Sequence, residues 1–265
     1  MRIDSISNVK GLSEKHVRMR ALGWALLVVA AFAAGGSQAA EEGATNWESW
    51  HADTSVTDRA SLQRGARNFV NYCLGCHSLQ YQRWSRLGTD LAIPPEVLQK
   101  SILPPGDKAA DYIETTMPGD AENWFGKIPP DLTLMVRLRG KDYVYQYLKT
   151  FYVDSTRATG ANNLALPTTA MPAVLSELEG LKRAVFKNGA TPGVMVFDHF
   201  EQVAPGRMSP TEYDGFVRDT VNFLDYVSEP AQLARRATGI WVVLFLLVFT
   251  WIAWLTKREY WKDVH

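Results

Sequence analysis

Only two cysteines occur in 265 residues, and they stand three apart, as Cys73 and Cys76. That count excludes a disulfide framework and a zinc site built from several cysteines. Histidine is scarce too: between the two long apolar runs only His51, His77 and His199 occur. No segment repeats at a fixed period, and strand patterns are too few for a sheet protein, so the fold class is mainly α. Charge of either sign is not in excess over the whole chain, whose formal net charge is zero.

The two apolar runs are different objects. Ala21–Ala34 is 14 residues long, too short at helical rise to cross a hydrocarbon core of roughly 30 Å. Lys10, Lys15, Arg18 and Arg20 precede it, and Gly35, Gly36, Ser37, Gln38 and Ala39 follow it. A basic leader, a short apolar core and a small-residue exit predict a secretory signal peptide over 1–39, with cleavage after Ser37-Gln38-Ala39. Thr238–Thr256 carries no charge over 19 residues, which matches the hydrocarbon thickness. Arg235, Arg236, Lys257 and Arg258 bound it, and Trp241, Trp251, Trp254, Tyr260 and Trp261 lie at or near its ends, where amphipathic rings prefer the headgroup layer. It is expected to span a lipid bilayer once, as an anchor with flanks over 235–258. Export of the preceding domain then leaves a short cytoplasmic tail, 259–265.

The expected exported domain, 40–234, holds 18 Lys+Arg against 24 Asp+Glu, a net charge of −6. Such a balance argues against nucleic acid and for basic partners. Asp107, Asp111, Glu114, Asp120 and Glu122 crowd into 16 residues opposed only by Lys108.

The decisive stretch is Cys73-Leu74-Gly75-Cys76-His77. Two thiols three apart reach the vinyl groups on one edge of a haem, and the adjacent histidine is carried onto the iron. One haem c, attached through Cys73 and Cys76, also explains two exported cysteines that are neither idle nor disulfide-bonded. A thioredoxin-like redox pair uses the same spacing but sits between a strand and a helix. Here Arg59–Tyr72 reads as a helix with Leu62, Ala66, Phe69 and Val70 on one side, and no βαβ unit surrounds it. The second axial ligand is open on pattern alone: Met117, Met135, Met171, Met195, Met208, His51 and His199 all remain. Met171 gains from its proline-bounded, extended setting, Pro167-Thr168-Thr169-Ala170-Met171-Pro172. Met208 and Met117 stay in contention.

Short helices joined by proline- and glycine-rich loops describe the rest. A helix is expected over Leu79–Leu87, another from Pro94-Pro95 to Pro104, and another over Leu132–Arg139, capped by Asp131 and ended by Gly140. Asp142–Phe151 carries an apolar stripe. Asn162-Asn163 and Thr191-Pro192-Gly193 read as loops, and Val194–Phe197 as a strand. The last helix before the anchor runs from Pro210 to about Val227, with Ser209 as N-cap and Glu212 closing a capping box.

From about Ala60 onward the chain resembles the cytochrome c1 family, the haem subunits of ubiquinol–cytochrome c reductase (bc1) complexes, in a proteobacterial form. The markers are Arg64-Gly65, Phe69–Ser78, Trp124-Phe125-Gly126, Pro129-Pro130-Asp131-Leu132 with Arg137-Leu138-Arg139-Gly140, Tyr147–Tyr152, and Ala170-Met171-Pro172. The resemblance implies that Met171 is the distal ligand opposite His77, with no departure at a ligand position. It also implies that Arg137 pairs with a haem propionate, and that Pro129 and Pro130 form part of the haem-pocket wall. Its functional implication is a one-electron relay, not an enzyme by itself, in the inner membrane with its haem domain in the periplasm. Cytochrome b and Rieske iron–sulfur subunits in a dimeric complex, and a soluble or tethered cytochrome c, are the expected partners. An anchored cytochrome serving another oxidase or reductase, or a haem-bearing assembly protein, are the rival readings that the residues alone leave open.

Overall fold

The computed structural model describes residues 46–263 other than Thr116, Ala190 and Pro192. The basic leader, the run Ala21–Ala34 and the expected cleavage site lie outside the described residues, as do the last two residues of the expected tail. In chain order the elements are α1 (Arg59–Tyr72), β1 (Leu79–Arg83), α2 (Trp84–Asp90), α3 (Pro95–Val97, continued by a wider turn over Leu98–Ile102) and β2 (Tyr112–Ile113). Next come α4 (Glu122–Phe125), α5 (Met135–Arg139), α6 (Lys141–Lys149), β3 (Phe151–Val153) and β4 (Ala161–Asn163). The chain continues through α7 (Ser176–Glu179), β5 (Gly180–Asn188), β6 (Met195–Pro205), α8 (Pro210–Ser228) and α9 (Gln232–Tyr260). About 47% of the described structure is helical, against three separate two-stranded antiparallel pairs, β1–β2, β3–β4 and β5–β6. The class is mainly α.

Helices α1 and α8 form the frame. The Asp58 side chain accepts from the Ser61 amide at 3.1 Å and starts α1, and Leu62, Ala66 and Phe69 then fall on one buried face. Ser209 starts α8 with the expected reciprocal bonds to Glu212, and Pro210 stands at the first helical position. Where the two helices meet, the Phe69 and Phe223 rings pack tilted with centroids 5.8 Å apart, and Tyr72 meets Phe216 edge-on at 5.3 Å. Asn68 donates to Thr220 Oγ1 at 3.1 Å, and Arg64 holds Asp219 through two bonds.

The crossing depends on Gly65. A Cβ there would lie 2.0 Å from the Asp219 carbonyl oxygen and 2.6 Å from Phe223 Cβ. Because one obstacle is helix backbone, rotation of a side chain does not relieve it. Gly65→Ala is therefore expected to destabilise the domain by about 1–3 kcal/mol or more, as overpacking does. Thermal denaturation of the detergent-solubilised protein checks this; an unchanged melting temperature contradicts it.

Helix α9 carries the anchor. Ala237–Tyr260 spans 24 residues with mean hydropathy 2.2, and none of it is buried against protein. At helical rise that is about 36 Å, enough to cross the hydrocarbon core. Ile240, Leu244, Phe245, Leu247 and Phe249 all face outward, an apolar surface that a bilayer covers.

Several expected boundaries differ. Leu79–Leu87 is not one helix: Leu79–Arg83 is β1, paired to β2, and the helix begins at Trp84. Asp131 does not cap a helix from Leu132. Its oxygens accept from Thr133 N at 2.9 Å and Gln80 N at 2.8 Å, so it closes a local turn and ties it to β1, and α5 begins only at Met135. Gly140 does end α5, at φ +89°. Phe151 belongs to β3, after α6 has stopped at Lys149. Asn162 and Asn163 are strand residues of β4 opposite Tyr152 and Phe151. The expected strand Val194–Phe197 is the start of the longer β6, whose partner β5 was not anticipated.

Candidate haem site

The last turn of α1 leads directly into the cysteine motif. Cys73 N and Leu74 N donate to Phe69 O at 2.8 and 2.9 Å, and Cys76 N and His77 N donate back to Cys73 O at 3.0 and 2.8 Å. A tight turn thus gathers both thiols and the imidazole within one reversal of the chain. Both cysteines are free thiols and half-buried. Burial, with Cys76 nearby as a smaller influence, pushes the Cys73 thiol up to about 12. That is the opposite of the depressed thiol of a dithiol redox catalyst.

His77 is only 9% exposed. Its Nδ1 lies 2.7 Å from the Pro130 carbonyl oxygen, and because a carbonyl can only accept, Nδ1 is the protonated nitrogen. Nε2 is therefore left with its lone pair, the arrangement seen in metal-ligating histidines whose second nitrogen is held by the backbone. Burial also lowers the imidazole below its ordinary value, partly opposed by the bond to Pro130, which favours the neutral, ligating form. The Pro130 segment is braced against the motif: Leu132 N donates to Ser78 O at 2.9 Å, and Thr115 N to Ser78 Oγ at 2.9 Å.

Met171 is half-buried and packs on the same apolar cluster as Tyr72, Cys73, Leu132, Met135, Tyr143 and Tyr147. Its backbone amide donates to Thr169 Oγ1 at 3.4 Å, and that hydroxyl lies 2.9 Å from the Tyr147 hydroxyl. A cavity of about 200 Å³ borders Met171, Pro172, Leu148, Phe151, Lys182 and Tyr213, though none of Cys73, Cys76 and His77 lines it. Met208 touches the same core cluster, its amide held by Leu178 O at 3.1 Å. Met117 is half-buried, with its amide on Thr115 Oγ1.

Of the sequence-derived site residues, the structure brings Pro130 onto His77 and leaves Pro129 half-buried beside it in the chain. Arg137 is largely exposed, and its recorded partner is Glu229, with Nη1 3.6 Å from Oε2. Glu229 is also paired with Arg235 at the start of α9. Asp111, Glu114, Asp120 and Glu122 are exposed, whereas Asp107 is half-buried and accepts from Trp84 Nε1 at 3.2 Å. His51 and His199 are exposed and paired with Asp142 and Asp198.

These residues fit a covalently bound haem. The donor set is one imidazole lone pair, two free thiols on one turn, and the thioethers of Met135, Met171 and Met208 on the adjoining core. Among the described residues no group of three or more His, Cys, Asp and Glu side chains could hold a metal ion by itself. Trp124, Ile128, Leu134 and Leu138, on the segment that carries Pro129 and Pro130, remain largely exposed, an apolar surface that a porphyrin could cover.

The sequence model of the Cytochrome C1 family matches residues 105–264, and a cytochrome c1 of Allochromatium vinosum is 48% identical over 216 residues, 81% of this chain and 88% of that protein. The chain belongs to the cytochrome c1 family. As a cytochrome c1 family member it carries one covalent haem c, for which Cys73 and Cys76 have the required spacing, and has an electron-transfer role in a bc1 complex. With α9 it is a membrane-anchored protein. The chain is also 42% identical over 209 residues to a Nitrosomonas europaea protein named ammonia monooxygenase gamma subunit, covering 78% of this chain and 85% of that one. A Candida albicans protein named cytochrome b-c1 complex catalytic subunit, mitochondrial, is 28% identical over 233 residues, 78% of this chain and 73% of that one.

Sequence reasoning missed the residues that support Met171. Asn163 is fully buried, with its Oδ1 accepting three hydrogen bonds and its Nδ2 donating one. Its only signal was its place six residues before Thr169, in a stretch that reads as a polar loop.

Proposed function

We propose that this chain relays single electrons from a Rieske iron–sulfur protein to a soluble or tethered cytochrome c, inside a dimeric complex whose cytochrome b subunit handles the quinol. In this reading 1–39 is a cleaved signal peptide, and 40–234 is a periplasmic haem domain. Residues 235–258 anchor it in the bacterial inner membrane, and 259–265 form a cytoplasmic tail.

The observation that carries the reading is the His77–Pro130 bond, which commits Nδ1 and leaves a buried Nε2 for iron. A covalently held haem supplies a reversible one-electron couple at its iron. Cys73 and Cys76 would hold it covalently, and His77 and Met171 would ligate its iron, leaving no open position for oxygen. A thioether opposite an imidazole favours the ferrous state and so a fairly high potential. Arg137 would neutralise a propionate, since its contact with Glu229 is a long ion pair of 3.6 Å and its guanidinium carries five donors. Pro129 and Pro130 would form part of the haem-pocket wall.

Solubilising the membranes in mild detergent and identifying the chains that co-purify tests the reading. Cytochrome b and a Rieske protein in stoichiometric amounts are expected; a haem protein that purifies without them contradicts it.

The acidic surface leads to a further expectation. Net −6 over 40–234, with four exposed carboxylates between Asp111 and Glu122, should steer a basic cytochrome c toward the domain. Electron transfer to such an acceptor should slow as salt rises, since the Debye length is about 8 Å at physiological ionic strength. Neutralising Asp111, Glu114 and Glu122 together should lower the low-salt rate and flatten the salt dependence without changing the haem spectrum. A wild-type rate indifferent to salt contradicts steering. Indifference of the triple variant alone assigns steering to another surface.

A further inference from the structure

The segment that delivers Met171 has little regular structure of its own. Between the end of β4 at Asn163 and Met171 the backbone-to-backbone bonds are only Leu164 N to Thr150 O and Thr169 N to Leu166 O, both at 3.2 Å. Thr168 sits in the left-handed region, at φ +64°, where a β-branched residue is disfavoured. Something outside the segment must hold it.

The Asn163 side chain does so from a site with no solvent exposure. Its Oδ1 accepts the amides of Ala165 at 2.8 Å and Leu166 at 3.0 Å, and the Thr150 hydroxyl at 3.1 Å. Its Nδ2 donates to the Tyr147 carbonyl at 2.7 Å. One carboxamide therefore joins the end of α6 to the start of the Met171 segment. Tyr147 closes the circuit from its other end, with its hydroxyl 2.9 Å from Thr169 Oγ1, two residues before Met171. Two lesser ties act further along: Asn162 Oδ1 accepts Thr168 N at 2.8 Å, and Arg157 Nη2 donates to Thr168 O at 3.2 Å.

We propose that Asn163 is a positioning residue for the iron: its carboxamide holds the segment 164–170 in the one conformation that keeps Met171 available as an axial ligand. The inference rests on the reading of Met171 as that ligand. Removing the carboxamide takes the shared acceptor away from the part-buried amides of Ala165 and Leu166, and each such loss shifts an equilibrium by roughly several-fold. The segment then leaves its site for a share of the time, and the iron position that Met171 guards opens to small exogenous ligands. The Tyr147 carbonyl at the end of α6 also loses a donor but keeps the Thr150 amide at 3.4 Å, and the Thr150 hydroxyl loses its acceptor, a loss that Thr150→Val isolates.

Asn163→Leu, close in volume, tests this in the full-length haem-loaded protein. Covalent haem content and far-UV circular dichroism should match wild type. The sulfur-to-iron charge-transfer band of the oxidised form should be lost or should melt at lower temperature, and the ferrous form should bind carbon monoxide, which wild type excludes. Thr150→Val removes a donor to the same oxygen without freeing a segment amide, and it should keep the band and stay inert to carbon monoxide. A wild-type band and inertness in Asn163→Leu overturn the proposal. So does an equal opening in Thr150→Val, which would assign the effect to core packing. Should Asn163→Leu fail to accumulate, Asn162→Ala decides, because it releases Thr168: an earlier melting of the band supports the proposal and an unchanged one overturns it. Persistence of the band in Met171→Leu is a separate outcome, which removes the ligand assignment itself.

Discussion

Met171→Leu should leave the haem covalently attached while removing the sulfur-to-iron charge-transfer band from the oxidised spectrum. Leucine nearly conserves the volume, so the buried core cluster against which Met171 packs keeps its covering. Attachment depends on Cys73 and Cys76, in the turn that follows α1. What disappears is the soft donor that favours ferrous iron. The midpoint potential should fall by about a few tenths of a volt, within the span of roughly 0.8 V that axial ligation covers. Redox titration and the oxidised absorption spectrum check both effects. Retention of the band and the potential would transfer the role to Met208, which shares the cluster, or to Met117.

His77→Ala should have the largest effect of all, loss of the stable haem. The imidazole is the one histidine of the domain removed from solvent, at 9% exposure, and the Pro130 carbonyl fixes its tautomer. The side chains of His51 and His199 are 65% and 46% exposed and paired with carboxylates, so neither is set to replace it. Haem staining of denatured membranes should show little or no band for His77→Ala and wild-type bands for His51→Ala and His199→Ala. A normal six-coordinate spectrum in His77→Ala, or its loss in either of the other two, contradicts the assignment.

Much of this was legible because the strongest signals were local. Helix α1 follows from its apolar spacing, α8 from Ser209-Pro210 and Glu212, and α9 from 19 residues without charge. The haem motif is likewise contained in five residues. The misreadings arose where polar residues are buried by pairing. In β1, Gln82 points inward and reaches the Tyr226 hydroxyl at 3.4 Å, which erases the apolar alternation of a strand. In β5, the inward residue is Lys182, buried against Glu179 and the Lys149 carbonyl, so Gly180–Asn188 lacks the apolar alternation that marks a strand. Asp131 looked like a helix cap because the residue type suits one, yet its oxygens were claimed by Thr133 and by Gln80, 51 residues away. Asn163 was hidden for the same reason: its partners are set by tertiary placement, not by spacing.

Electron flow through the haem of the purified complex tests the central claim most directly. With quinol added and no cytochrome c present, the haem should reduce when the Rieske protein is in place, and should stay oxidised once that protein is extracted. Adding oxidised cytochrome c to the reduced complex should then reoxidise the haem at a rate proportional to the cytochrome c concentration. Reduction by quinol that persists without the Rieske protein, or a reduced haem that cytochrome c does not reoxidise, would contradict the relay.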